Sequence, residues 1–136
     1  MTLSGSDIQR LYGVRDIRRR LADVTWAAGL FEGEGTCCLI KSQYDRPLVE
    51  ISSSDRDVIE RFASIIGFGS IRERKPRQSQ HKSSWSWHVN SKNDVTEVLT
   101  LLLPHLGERR TREAQVVLER TSRMKFHLNK QKRGRT

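Results

Sequence analysis

The chain has 136 residues, about one domain's worth, with 25 Lys and Arg against 16 Asp and Glu, a formal net charge of +9 at pH 7. A balance that basic attracts polyanions. The longest apolar run, Val98 to Leu103, is interrupted by Thr100 and stops at Pro104, far short of the ~20 residues that span a bilayer, so no membrane partner is expected. The first 24 residues hold five arginines but no apolar stretch of signal-peptide length, which points to an intracellular protein. Cys37 and Cys38 are the only cysteines. Adjacent in an extended segment, they point to opposite faces and form neither an easy bridge nor a zinc set.

In chain order, residues 1–24 read as a basic extension. A short helix is expected over Asp7–Leu21, where Ile8, Leu11, Val14, Ile17 and Leu21 recur at helical spacing, weakened by Gly13. Thr25 then caps a helix over Trp26–Glu34, with Gly35 in the left-handed position that ends it. Thr36–Ser42 and Leu48–Ser53 predict two strands joined by a turn at Gln43–Pro47. Ser54 and Asp57 form a capping box ahead of Ile59, Phe62, Ala63 and Ile66, a helix that ends at Gly67. Ser70–Lys75 and Ser84–Asn90 predict a second strand pair, with Trp85, Trp87 and Val89 turned to the core and Ser86, His88 and Asn90 turned away. Ser91 and Asp94 cap a helix bearing Val95, Val98, Leu99, Leu102 and Leu106, punctuated by Pro104 and Gly107. A last amphipathic helix runs from about Glu108 to Lys125 on Ala114, Val117, Leu118 and Thr121, followed by a basic tail over residues 127–136, of which Lys130–Thr136 is expected to be disordered. The order αββαββαα over residues 25–126 gives an α+β domain: a four-stranded antiparallel sheet with helices on one face and the other face open.

One segment breaks ordinary helix practice. Trp26–Gly35 places Gly29 and Gly33 inside a short helix, where each glycine costs ~0.8–1 kcal/mol relative to alanine. The return is close approach of another backbone. Glu32 and Glu34 lie in the last turn, where the helix dipole makes a carboxylate cost roughly 0.3–1 kcal/mol. Locally unfavourable choices gathered in one place mark functional sites. Two residues apart, the glutamates point about 200° from each other and cannot share one ion.

Ala27 to Gly35 reads Ala-Ala-Gly-Leu-Phe-Glu-Gly-Glu-Gly, which resembles the LAGLIDADG motif of homing endonucleases with Glu at both acidic positions. The likeness continues through the element order, the Gly67–Arg74 entry to the third strand, and Leu102-Leu103-Pro104 before the last helix. The resemblance implies a site-specific double-strand DNA endonuclease, associated with intron or intein mobility. With one motif copy, it implies a homodimer packed through Ala28, Gly29 and Gly33 on a near-palindromic site. It implies Mg²⁺ (or Mn²⁺) held by Glu34 and the Gly33 carbonyl, glutamate being as hard an oxygen donor as aspartate. Glu32 takes a structural part. A polar residue near the end of the second strand falls on Ser53, and a basic residue at the start of the last helix falls on Arg109 or Arg110. Arginine steadies phosphate charge but is a poor proton shuttle. The alternative on the same fold is a non-cleaving DNA-binding regulator or an RNA maturase.

The polyanion face follows from charge. Between Arg72 and Lys82 the net charge is +4, and Arg72 and Arg74, two apart, leave one face of the third strand. Arginine grips guanine bidentately and a β-ribbon fits the major groove. Arg72, Arg74, Arg77, Lys82, Ser86, His88 and Asn90 are therefore the expected contacts to double-stranded DNA. On the first hairpin, Thr36, Cys38, Ile40 and Ser42 share one face and Cys37, Leu39, Lys41 and Gln43 the other, while Glu50 and Ser52 are candidates for base edges. Residues 108–136 carry a net +7, a source of salt-sensitive phosphate affinity. The expected location is the cytoplasm or wherever the target DNA resides.

Overall fold

A computed structural model describes residues 18–76 and 82–133, the last ten of these as backbone only. The expected helix over Asp7–Leu21 falls largely outside the described residues. Where it enters them it is not helical, because Arg18–Arg20 have no regular structure.

Helix α1 runs over Leu21–Glu34, starting earlier than Thr25, and no side chain caps it at Arg20. Thr25 lies inside it, its hydroxyl donating to the Ala22 carbonyl at 2.9 Å. Gly35 does not adopt the left-handed conformation expected of it. Its φ and ψ are −85° and 160°, so the helix runs straight into strand β1, Gly35–Ile40. Glycine is required there by contact: a Cβ would lie 2.2 Å from the Phe31 ring and 2.6 Å from its carbonyl oxygen. Beyond β1 a 3₁₀ turn, Lys41–Gln43, leads to Tyr44 and Asp45, both at φ 59°. Strand β2, Arg46–Ser53, thus begins before the expected turn has ended.

Helix α2 spans Arg56–Ile66 and buries Ile59, Phe62 and Ile66. The Ser54–Asp57 capping box does not form. Asp55 holds the N-cap position, and the Ser53 hydroxyl accepts from the Asp55 N–H at 3.0 Å, turning the chain one residue later. Gly67 ends the helix where expected, in the left-handed conformation at φ 88°, its N–H donating to the Ala63 carbonyl at 2.8 Å. Strands β3, Ser70–Arg74, and β4, Ser84–Val89, follow. Helix α3, Lys92–Leu102, is capped by Ser91, whose Oγ accepts from the Asp94 N–H at 3.2 Å. Pro104 ends it through a 3₁₀ turn over Leu103–His105, so Leu106 lies beyond the helix. Helix α4, Glu108–Arg133, continues past the expected end at Lys125 into the basic tail, including Lys130–Arg133 of the segment expected to be disordered.

The strands form one antiparallel sheet in the order β1-β2-β4-β3, an α+β architecture with helices packed on one face. That face buries Cys37, Val49, Ile51, Trp87 and Val89 against Phe31, Phe62, Val95, Leu99, Leu102 and Val117. Trp87 anchors the layer: its indole N–H donates to the Phe68 carbonyl at 2.8 Å, and its ring meets Phe62 edge-on at 4.8 Å. Among the described residues, no helix lies over the opposite face.

Candidate functional site

The two motif glutamates have different surroundings. Glu32 Oε1 accepts from the Gly107 N–H. Gly107 in turn accepts the first bond of α4 from Thr111 at 2.9 Å. The carboxylate that is unfavourable at the end of α1 therefore sits at the positive start of α4, where it is stabilised. Arg110 reinforces the clamp. Its Nε donates to the Glu32 carbonyl at 3.2 Å and its Nη1 to Glu113 Oε2 at 3.1 Å, leaving the side chain 14% exposed. The sequence expectation of a phosphate-facing basic residue at Arg109 or Arg110 divides accordingly: Arg110 is engaged within the chain, while Arg109 is exposed.

Glu34 is exposed and makes no hydrogen bond or ion pair among the described residues. Gly35 pairs with Ile51, which puts Glu34 beside Ser52 at the same end of the sheet. Ser53, the polar residue expected near the end of the second strand, lies on the helix-covered face in the row Ser53–Trp85–Glu73, where its hydroxyl accepts from the Asp55 N–H. The triple serine at 52–54 hides this register, because its residues are chemically alike.

Strand register arranges the open face in rows. Next to Glu34 come Ser52, Ser86 and Arg72; beyond them Thr36, Glu50, His88 and Ser70; then Cys38 with Leu48, and Ile40 with Arg46. Arg72 and Lys82 are exposed, and His88 and Asn90 are half-buried. Arg74 is exposed but forms an ion pair with Glu50 at 3.4 Å. Ser86 points to the open face as expected, yet it is only 2% exposed. A short side chain in the middle strand, with Ser52 and Arg72 as its neighbours, is covered where it stands. Arg77 lies outside the described residues.

On α1, Gly29 and Gly33 are exposed, and a Cβ on either would meet nothing within 4 Å. Ala28, expected with them on a surface stripe, is instead fully buried with Ala27 and Phe31 in the core. Burial raises the thiol of Cys37 to about 11, helped by Glu113 and opposed by Arg110; burial and then Glu50 raise that of Cys38.

Sequence reading missed Arg19. Its guanidinium closes the end of α2, donating to the carbonyls of Ile65 at 3.0 Å and Ile66 at 2.7 Å, and it lies 3.9 Å from Glu97. Burial lowers its pKa, against the pull of Glu97. As the middle of three consecutive arginines, Arg18 to Arg20, it carries no sequence signal that sets it apart from its neighbours. Among the described residues, no helix is long and apolar enough to cross a membrane.

No family model and no curated relative matches the chain. Solved structures do. The homing endonuclease I-CvuI in complex with its target superposes with a TM-score of 0.60 at 18% identity, over 76% of this chain and 69% of that one. The group I intron-encoded homing endonuclease I-CeuI, complexed with DNA, gives 0.66 at 11% identity, over 92% and 66%. The LAGLIDADG homing endonuclease I-GzeII, in complex with its DNA target, gives 0.63 at 14% identity, over 92% of this chain and 46% of that one. The chain has the LAGLIDADG homing-endonuclease fold. The segment that resembles the motif forms the C-terminal part of α1, with Glu32 clamped and Glu34 exposed.

Proposed function

We propose that the chain is a site-specific double-strand DNA endonuclease of the LAGLIDADG type, acting as a homodimer with a divalent metal on a near-palindromic site. The observation that carries this reading is the contrast within the motif. One acid is consumed in holding α1 to α4, and the other is retained at an unfavourable helix end with no partner, beside an open sheet face. An acid kept there without structural return points to chemistry.

The donor set suits a magnesium-sized ion only in an assembly. Among the described residues no three His, Cys, Asp or Glu side chains gather to hold a metal. Glu34 and the carbonyl of Gly33, in the last turn where carbonyls lack helical partners, would supply one carboxylate and one neutral oxygen per chain. Mg²⁺ is commonly held by one or two carboxylates together with substrate phosphates. Such an ion would activate water and neutralise the leaving oxygen of a phosphodiester. The chain's own part is positional. The Glu32–Gly107 bond and Arg110 fix the end of α1, Arg109 is free for phosphate charge, and Arg72, Lys82 and His88 hold the duplex. The exposed Gly29 and Gly33 surface admits a second α1, bringing two Glu34 residues to one axis.

The test uses plasmid carrying the gene's flanking DNA joined without the insert, incubated with wild type or Glu34→Gln in Mg²⁺ or EDTA. Metal-dependent linearisation by the wild type alone supports the reading. DNA retarded but uncut, equally by both proteins, replaces it with a non-cleaving regulator, or with an RNA maturase where intron RNA is bound instead. The commitment of Arg110 within the chain is what gives that second reading its place.

A further inference from the structure

The open face of the sheet is chemically divided. Near Glu34 its rows are polar and basic, whereas towards the β1–β2 turn they become apolar: Cys38 directly opposite Leu48, then Ile40 opposite Arg46. All three apolar side chains are half-buried, but none belongs to the core, which takes Cys37 and Leu39 from the other side of the same strand. Their packing within the monomer is therefore incomplete. The exposed Lys41 and Arg46 flank them, so this apolar row lies within a basic rim. A basic rim suits phosphate backbones. Inside the major groove, the base-edge group that an apolar side chain can meet without stranding a donor or acceptor is the methyl on pyrimidine C5.

We propose that Cys38, Ile40 and Leu48 determine specificity by packing on thymine methyl groups in the part of each half-site under β1 and β2, while Arg72 reads guanine at the other end of the face. The inference rests on the DNA-binding reading above and gives it content: a half-site with thymine at positions fixed by the β1–β2 hairpin and guanine displaced from them. The neighbouring row, with the Glu50 carboxylate already paired to Arg74, leaves the apolar row as the less ambiguous reader.

The experiment selects duplexes from a random pool with full-length Glu34→Gln protein, then replaces single thymines of the selected site by deoxyuridine, which removes only the methyl. At one or more thymines per half-site, affinity should fall roughly three- to fourfold, the size expected for one methyl taken out of water. In Leu48→Asn the thymine-to-uracil ratio at those positions should approach one, whereas in Arg72→Ala binding should weaken with the ratio intact. Uracil tolerated at every position, or a ratio unchanged by both Leu48→Asn and Cys38→Ser in folded protein, overturns the inference while leaving DNA binding standing. Failure to select any duplex overturns the DNA-binding reading, and this inference with it.

Discussion

Where α1 runs into β1, the missing side chain of Gly35 is filled by Phe31, whose ring would lie 2.2 Å from a Cβ. On the outer surface of the same helix, Gly29 and Gly33 face open space. The first glycine is demanded by the monomer's own packing. The other two are not, although helix propensity charges for each of them. Residues that cost stability and gain no contact among the described residues suit a contact beyond them, and a second copy of α1 is the occupant proposed above. Substitutions that separate these two kinds of glycine test that argument.

The largest effect is expected at the junction. Gly35→Ala needs no new backbone conformation, since φ is already −85°, so its whole cost is steric. Overpacking a filled core costs roughly 1–3 kcal/mol, and the upper end applies here because a backbone oxygen stands on one side of the added methyl. The urea midpoint should fall accordingly with the slope unchanged. A wild-type midpoint would mean that Phe31 moves aside easily and that the junction is not the rigid base the site requires.

Glu32 comes next. Glu32→Ala leaves the Gly107 N–H without its acceptor and removes a charge from the start of α4, a loss of about 1–2 kcal/mol. Glu32→Gln keeps an acceptor and should recover much of it. Glu34→Gln should leave the urea midpoint unchanged or raise it slightly, since it removes a carboxylate from the negative end of α1, while abolishing cleavage. Equal destabilisation by the Glu32 and Glu34 variants would erase the distinction between clamp and chemistry.

The outer glycines should respond with the opposite sign. Gly29→Ala should stabilise the isolated chain by up to about 1 kcal/mol through helix propensity, and Gly33→Ala by less, because it lies in the last turn. Both should weaken self-association in sedimentation equilibrium. Stabilisation without any loss of association would remove the dimer argument from this face.

How far this was legible in the sequence follows from what each residue contributes to a pattern. Ile59, Phe62 and Ile66 lie on one stripe, and Val95, Val98, Leu99 and Leu102 on another, so α2 and α3 announced themselves. Strand alternation placed Trp87 and Val89 in the core and His88 on the open face. In α1, small residues occur on every side, so the sequence offered no stripe by which to tell buried Ala28 from exposed Gly29. Its start was hidden too, because Leu21 is 71% exposed and Arg20 offers no cap. The serine run at 52–54 left the strand end ambiguous by one residue. The last turns of α4 are rich in lysine and arginine, which read in the sequence as a basic tail. The acid that mattered structurally, Glu32, acts through Gly107, 75 residues away in sequence, a distance that no local pattern spans.

The two cysteines give the smallest effect and a comparison across the sheet. Cys37 lies on the helix-covered face and Cys38 on the open one, so native-state alkylation near pH 8 should modify Cys38 first and leave Cys37 for unfolding. The buried thiol also sets a sign for pH. Its folded pKa of about 11 lies above the ordinary thiol value of 9.0, so between these values the unfolded chain has released a proton that the folded chain retains. Stability linked to Cys37 is present below pH 9 and declines as pH rises towards 11. Cys37→Ala should flatten that decline in urea midpoints measured from pH 8 to 11, whereas Cys38→Ala, on the more exposed face, should change it less. An equal change in both would mean that the two faces of β1 do not differ in solvent access as the register requires.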